Sequence, residues 1–150
     1  MTNKIKRKTT VNVGIDVGKT TLDIVIHEKQ LHWQEENTEQ GIKRILKRLS
    51  YYQVARLVME ATGRYEFDLA EAAYNKGVPV CIAKPLSVRR YAGAVEQLAK
   101  TDKIDAAIIA EYGAVCKPRV SPRKSKNLIA IKNLLVRRRQ LVNLRTQEMY

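Results

Sequence analysis

Four acidic residues, distributed over three segments of the chain, have the chemistry to hold divalent metal ions. Asp16 falls on the polar face of an alternating segment, and Glu60 ends a short apolar segment. Asp102 and Asp105 follow with two residues between them. Cleaving a phosphodiester bond without a covalent protein intermediate needs strong charge neutralisation, which two Mg²⁺ ions about 3.5–4 Å apart provide. Because Mg²⁺ prefers carboxylate oxygens, the four acids predict a catalytic site for two Mg²⁺ or Mn²⁺ ions.

The segments around the first acid predict β-strands. Residues 11–17 and 22–26 alternate apolar and polar side chains, which is typical of half-buried strands. Residues 17–20 between them form a turn, so the two strands predict a hairpin. A third strand is predicted over residues 31–34.

The rest of the chain alternates helices and strands. A capping signal at Asn37 or Thr38 precedes an amphipathic helix. The later predicted elements are a strand over 55–59, a helix from about Tyr65 to Asn75, a strand over 78–83 and a helix from Pro85. This order predicts an α/β fold with a mixed five-stranded sheet flanked by helices, an order that the ribonuclease H-like fold shares with other α/β folds.

Such a fold would gather the acids at one place. If the strands of Asp16 and Glu60 are neighbours, their carboxylates meet. Thr101 is the predicted N-cap of a helix over residues 102–115, and a helix would place Asp105 and the acid three residues before it on one side. A bound cation would remove their mutual repulsion. Each acid alone also has an ordinary explanation, as a strand-end, loop or helix-surface charge.

The segment from Gly14 to Thr20 resembles a phosphate-binding loop but lacks its spacing. A P-loop has four residues between its glycines, whereas Gly14 and Gly18 are separated by three. The following residues predict a strand, so no helix N-terminus is there to bind an anion. An actin-like or sugar-kinase ATPase is an alternative, although its second phosphate loop is not found.

The net charge of +13 is concentrated at the two ends of the chain. Residues 1–10 carry +4 and residues 117–150 carry +9, while the residues between them hold 14 basic and 14 acidic side chains. A neutral body with basic ends predicts an acidic polymer, DNA or RNA, as the partner. Basic tails that only aid solubility are the alternative.

The composition predicts a protein of the cytoplasm. No apolar run approaches the roughly 20 residues of a membrane span, and the N-terminus does not resemble a signal peptide. Cys81 and Cys116 have no zinc-ligand spacing. The predicted organisation is a basic tail (1–10), a catalytic domain (11–116), and a linker with the start of a long helix (117–150).

The C-terminal segment predicts a long basic helix from Asn127 onward. Its apolar side chains recur about every 3.5 residues, which favours self-association through a coiled coil. No helix-stop signal is present at Tyr150, so either a longer parent protein or a partner that completes the helix is expected.

Three segments resemble the DEDD transposases, the insertion-sequence family that includes the Piv-type DNA invertases. They are Val13-Gly14-Ile15-Asp16-Val17, Met59-Glu60-Ala61-Thr62-Gly63 and Lys100-Thr101-Asp102-Lys103-Ile104-Asp105-Ala106. The resemblance covers residues 11–116 and continues into the basic helix.

The resemblance implies a RuvC-like, ribonuclease H-related domain that recombines DNA. Asp16, Glu60, Asp102 and Asp105 match the four metal-binding acids of the family. Many members are thought to use a structured guide RNA, and members usually carry a second domain with a serine nucleophile, which this chain ends before. A stand-alone Holliday-junction resolvase and a non-catalytic nucleic-acid-binding fragment are the alternatives.

Basic side chains near the predicted site and on the long helix are candidates for contacts with the nucleic-acid backbone. They are Lys19, Arg64, Arg89, Arg90, Lys100, Lys103, Arg137, Arg138 and Arg139.

Overall fold

The computed structural model describes residues 6–95, 104–123 and 126–149. Its centre is a five-stranded sheet in the order β3-β2-β1-β4-β5. The strands are β1 (Thr10–Val17), β2 (Thr21–Ile26), β3 (Leu31–Glu36), β4 (Gln53–Glu60) and β5 (Val80–Ala83). The helices are α1 (Glu39–Leu49), α2 (Phe67–Asn75), α3 (Pro85–Ala94), α4 (Ala106–Cys116) and α5 (Lys126–Glu148).

The sheet is mixed, as predicted. β2 is antiparallel to both β1 and β3, whereas β4 is parallel to β1 and β5 is parallel to β4. This is the strand arrangement of ribonuclease H-like folds, so the predicted fold class is confirmed. Because β1, β4 and β5 are parallel, their carboxyl ends meet at one edge of the sheet, where α/β proteins commonly place their sites.

Helices α1 and α2 cover one face of the sheet. The buried side chains Val13 and Ile15 of β1 and Leu57 and Met59 of β4 pack there against the apolar sides of both helices. Thr38 caps α1 by accepting from the backbone N–H of Gly41 at 3.1 Å, as the sequence predicts.

Helices α3 and α4 cover the opposite face, and α4 lies very close to the sheet. A Cβ atom added at Gly14 would lie 2.4 Å from the carbonyl oxygen of Ala106 and 2.3 Å from the backbone nitrogen of Ala110. A Cβ at Gly113 of α4 would likewise lie 2.7 Å from a methyl group of Val58. Glycines on both elements thus set the distance between helix and sheet.

Two helices begin later than predicted. The helix predicted from Asp102 begins at Ala106, because Asp105 has an extended backbone and acts as the N-cap, accepting from the N–H of Ile108 at 3.0 Å. The prediction that Asp105 lies within this helix is therefore wrong. Helix α2 begins at Phe67 because the preceding residues form a loop held by side-chain hydrogen bonds.

The segment that precedes α5 runs along the edge of β5. Ser121 donates its backbone N–H to the carbonyl of Val80 at 2.8 Å, and its Oγ accepts from the N–H of Ile82 at 2.9 Å. Tyr74 of α2 donates its hydroxyl to the Ser121 carbonyl at 2.9 Å. Arg123 forms an ion pair with Glu71 of α2. The start of the predicted linker therefore packs on the body of the protein.

Helix α5 confirms the predicted long C-terminal helix. Large apolar side chains along its length are more than 40% exposed, including Ile131, Leu135 and Val142. No helix in the described ranges is long and apolar enough to cross a membrane.

Candidate metal centre

The structure brings Asp16 and Glu60 together at the carboxyl ends of β1 and β4. Ile15 pairs with Met59 across the two parallel strands, so the two acids are the next residues along neighbouring strands. The preceding residues of both strands face α1 and α2. Because successive side chains of a strand point to opposite faces, Asp16 and Glu60 project to the face that α3 and α4 cover. The sequence-based expectation that their strands are neighbours is thus met.

Glu60 is in an environment that disfavours a lone negative charge. Burial raises the pKa of its carboxyl group, the charge of Asp16 raises it further, and Arg89 of α3 lowers it. Its Oε1 atom is buried and has no hydrogen-bond partner. A buried acceptor without a partner is costly, and a cation shared with Asp16 would satisfy it.

Asp105 lies at the N-terminus of α4, with an exposed side chain. Its neighbour Ala106 contacts Gly14, two residues before Asp16 on the same side of β1. Asp102 lies outside the described residues. Among the residues that are described, no group of three or more potential ligands is close enough to hold a metal ion. The candidate metal centre in the described structure therefore consists of two acids, Asp16 and Glu60.

A further acid, which the sequence analysis did not single out, lies beside this pair. Asp23 of β2 is directly opposite Asp16 in the antiparallel register. Its carboxylate accepts from the amide of Gln34 at 3.2 Å and lies 3.4 Å from Nε2 of His32. Asp16 and Asp23 are equally far along the chain from the centre of the hairpin turn. The predicted hairpin alone could therefore have indicated that they lie opposite each other.

The loop that follows Glu60 is organised by its own side chains. The hydroxyl of Thr62 accepts from the N–H of Tyr65 at 3.0 Å and donates to the carboxylate of Glu66, which is only 3% exposed. Glu66 also accepts from the N–H of Gly63 at 3.3 Å. These bonds give the loop a defined shape next to the candidate metal centre.

Several predicted backbone-contacting cations surround the same edge of the sheet. Lys19 is in the turn after β1, Arg64 is in the loop after β4, and Arg89 and Arg90 are on α3, which follows β5. All four are exposed. The positive charge of Arg89 lowers the pKa of Glu60. On α5, Arg137, Arg138 and Arg139 are exposed, while Lys100 and Lys103 lie outside the described residues.

The fold and the paired acids define a ribonuclease H-like α/β domain with a candidate metal centre. A family model of IS110-type DEDD transposases, described as a transposase, matches residues 13–149. The chain therefore belongs to this transposase family, and the resemblance drawn from its three motifs is confirmed.

Two curated relatives are pilin gene-inverting proteins, one from Moraxella bovis and one from Moraxella lacunata. Each is 34% identical to this chain over 146 residues. The match covers 91% of this chain and 45% of each relative, so the chain spans about half the length of these relatives. A solved structure of T. thermophilus RuvC in complex with a Holliday junction substrate is also similar. It has 18% identity and a TM-score of 0.42, and the match covers 81% of this chain and 89% of that chain.

Proposed function

We propose that this chain is the metal-dependent catalytic domain of a DNA recombinase, which cuts or transfers DNA phosphodiester bonds during transposition or inversion. The observation that carries the proposal is the adjacent pair of Asp16 and Glu60, in which Oε1 of Glu60 is buried without a hydrogen-bond partner. Membership of the transposase family supports DNA as the substrate.

The carboxylates would hold Mg²⁺ or Mn²⁺, and Asp102 and Asp105 are proposed to complete the ligand set for two ions. A bound metal pair supplies activation of water and stabilisation of the leaving oxygen. The chain's own contribution is to hold Asp16 and Glu60 on rigid neighbouring strands and to keep Asp105 oriented through its cap bond to Ile108. Lys19, Arg64, Arg89 and Arg90 would hold the phosphate backbone across the site.

Replacing Asp16 with Asn should abolish the rise in Tm that Mn²⁺ causes in the wild-type protein, because metal that binds only the native state stabilises it.

Asp105→Asn should weaken Mn²⁺ binding without lowering the Tm of the metal-free protein, since Asn caps a helix about as well as Asp. Thermal unfolding and Mn²⁺ titration by electron paramagnetic resonance measure both effects.

The matched control is Asp68→Asn, which removes an exposed acid from the first turn of α2 and should leave Mn²⁺ affinity unchanged. Normal Mn²⁺ affinity in the Asp16 variant would refute the proposed function. Normal affinity in the Asp105 variant would remove only that residue from the ligand set.

The basic surface is proposed to bind the nucleic-acid backbone in a salt-dependent way. Each lost phosphate contact lowers the slope of log K against log salt by about 0.9 for duplex DNA. Changing Arg137, Arg138 and Arg139 together to Gln should therefore flatten that slope in a DNA-binding titration. Lys47→Gln, on the exposed side of α1, is the control; equal slopes in the two variants would show that α5 does not contact the backbone.

Helix α5 is also proposed to mediate self-association. The large apolar side chains of α5 whose exposure the structure describes are exposed to solvent, and a second copy could cover them. A structured guide RNA, which the family resemblance implies, would use the same exposed arginines.

A further inference from the structure

One residue that the sequence analysis considered only as a possible helix cap links the two loops around the candidate metal centre. Asn37 lies between β3 and α1, far along the chain from both loops. Its side-chain amide donates to the carbonyl of Gly18 at 2.9 Å and to the carbonyl of Tyr65 at 3.2 Å. Its backbone N–H donates to the carbonyl of Thr20 at 2.9 Å. Three hydrogen bonds from one residue thus hold both loops.

Each of these loops follows a strand that carries a candidate metal ligand at or next to its last residue. Gly18 and Thr20 belong to the turn after Asp16, and Tyr65 belongs to the loop after Glu60. The strands set the register of the two acids, although the last pair between β1 and β4, Ile15 with Met59, comes before them. The strands do not set the conformation of the segments beyond the last ladder bonds, where Lys19 and Arg64 lie.

Each loop is closed by hydrogen bonds of its own. The turn after β1 is closed by the N–H of Gly18, which donates to the carbonyl of Thr21 at 2.9 Å. The loop after β4 is closed by Thr62 and the buried Glu66. The amide of Asn37 joins these two closed units through one donor group, so it sets their relative position.

We propose that Asn37 is a positioning residue for the active centre. It holds the turn after β1 and the loop after β4 in one arrangement, in which Asp16 and Glu60 face the same ion and Lys19 and Arg64 flank it. The inference rests on the proposed function. It deepens that function by assigning the preorganisation of the site, on which metal affinity depends, to a residue that touches neither metal nor DNA.

The test uses Asn37→Asp, which keeps the shape of the side chain but replaces the donating NH₂ group by an oxygen. Both carbonyls would then face an acceptor, so the link between the loops is lost. We expect Mn²⁺ affinity to fall about tenfold, within the range seen when groups that support metal ligands are removed. Electron paramagnetic resonance titration of the full chain measures it, at a temperature where circular dichroism shows the variant folded.

The direction of the change separates positioning from charge. An added negative charge near a cation site strengthens metal binding if the geometry is unchanged, so a weaker affinity reports lost geometry. Asn37→Ala should weaken binding as well, without any charge change. Asn75→Asp is the matched control, because Asn75 already acts as an acceptor for Arg123 at 2.8 Å and the new carboxylate keeps that role.

Hydrogen exchange supplies a readout that does not depend on metal. Loss of the link should speed exchange of the amides of Gly18 and Tyr65 together in the Asn37→Asp variant, and leave both unchanged in Asn75→Asp. Wild-type Mn²⁺ affinity in both Asn37 variants would overturn the inference, even if their Tm falls. A wild-type chain that binds no Mn²⁺ would instead overturn the proposed function, and the exchange rates would still decide whether Asn37 couples the loops.

Discussion

Replacing Gly14 with alanine is expected to lower the free energy of unfolding by about 3 kcal/mol, since overpacking a close contact costs about 1–3 kcal/mol or more. The added methyl group would lie 2.3–2.4 Å from backbone atoms of α4, which cannot rotate away as a side chain does. Helix α4 must therefore move off the sheet. Thermal unfolding should show a fall in Tm of about 6–12 °C for a domain of this size.

The same substitution at Gly93 is the matched control. A Cβ atom there has no neighbour within 4 Å, and Gly93 lies within α3. Alanine should therefore stabilise the protein, by up to about 1 kcal/mol from helix propensity. If both variants unfold at the wild-type temperature, the close contact between β1 and α4 is not present in solution.

The Gly14 variant should also bind Mn²⁺ more weakly, because α4 carries Asp105 at its N-terminus. This loss follows from displacement of a helix and not from removal of a ligand. A variant that is destabilised but binds Mn²⁺ normally would argue against a role of Asp105 as a ligand.

Replacing Glu60 with Gln is expected to stabilise the metal-free protein and abolish its response to metal. A glutamine amide can donate to Asp16, which removes the repulsion between two carboxylates and relieves part of the cost of the unpartnered oxygen. The gain should be about 1 kcal/mol, or about 2–4 °C in Tm. Thermal unfolding with and without Mn²⁺ measures both effects, and a lower Tm without metal would contradict the prediction.

The stabilisation of the metal-free protein by Glu60→Gln should depend on pH in a defined direction. The pKa of Glu60 is raised above its ordinary value of 4.5, first by burial and then by Asp16. Ionised Glu60 therefore destabilises the fold at pH values above that raised pKa, and protonation removes the penalty as the pH falls. The Tm difference between Glu60→Gln and wild type should be full at neutral pH and shrink on acidification. Glu39→Gln, an exposed residue of α1, should show no comparable gain.

The local order of the fold could be predicted because alternation and capping act over short distances. The hairpin of β1 and β2 follows from the alternation around Gly18, and the start of α1 follows from Thr38. The position of Glu60 beside Asp16 followed only once the two strands were assumed to be neighbours, which the βα order favours.

Features that depend on tertiary contacts could not be predicted. The start of α4 was placed too early, because Thr101 and Asp105 both have N-cap side chains and the structure uses Asp105, next to Ala106, which packs on Gly14. The sequence offered Asn37 only as an alternative cap of α1, and its bonds to two carbonyl groups from distant loops could not be foreseen. A glutamate is expected on the surface, yet Glu66 is buried, and it forms hydrogen bonds with the hydroxyl of Thr62 and the N–H of Gly63.

The contact of Ser121 with β5 bears on how copies of this protein can meet. An open edge strand invites a strand from another molecule to extend the sheet, which is a route to aggregation. Here the backbone of Ser121 uses the Val80 carbonyl and its hydroxyl uses the Ile82 N–H, so those edge groups are no longer available to an incoming strand. A strand could add at this edge only by displacing Ser121, and Ser121→Pro, which has neither a backbone N–H nor a hydroxyl, should leave the Val80 carbonyl and the Ile82 N–H open.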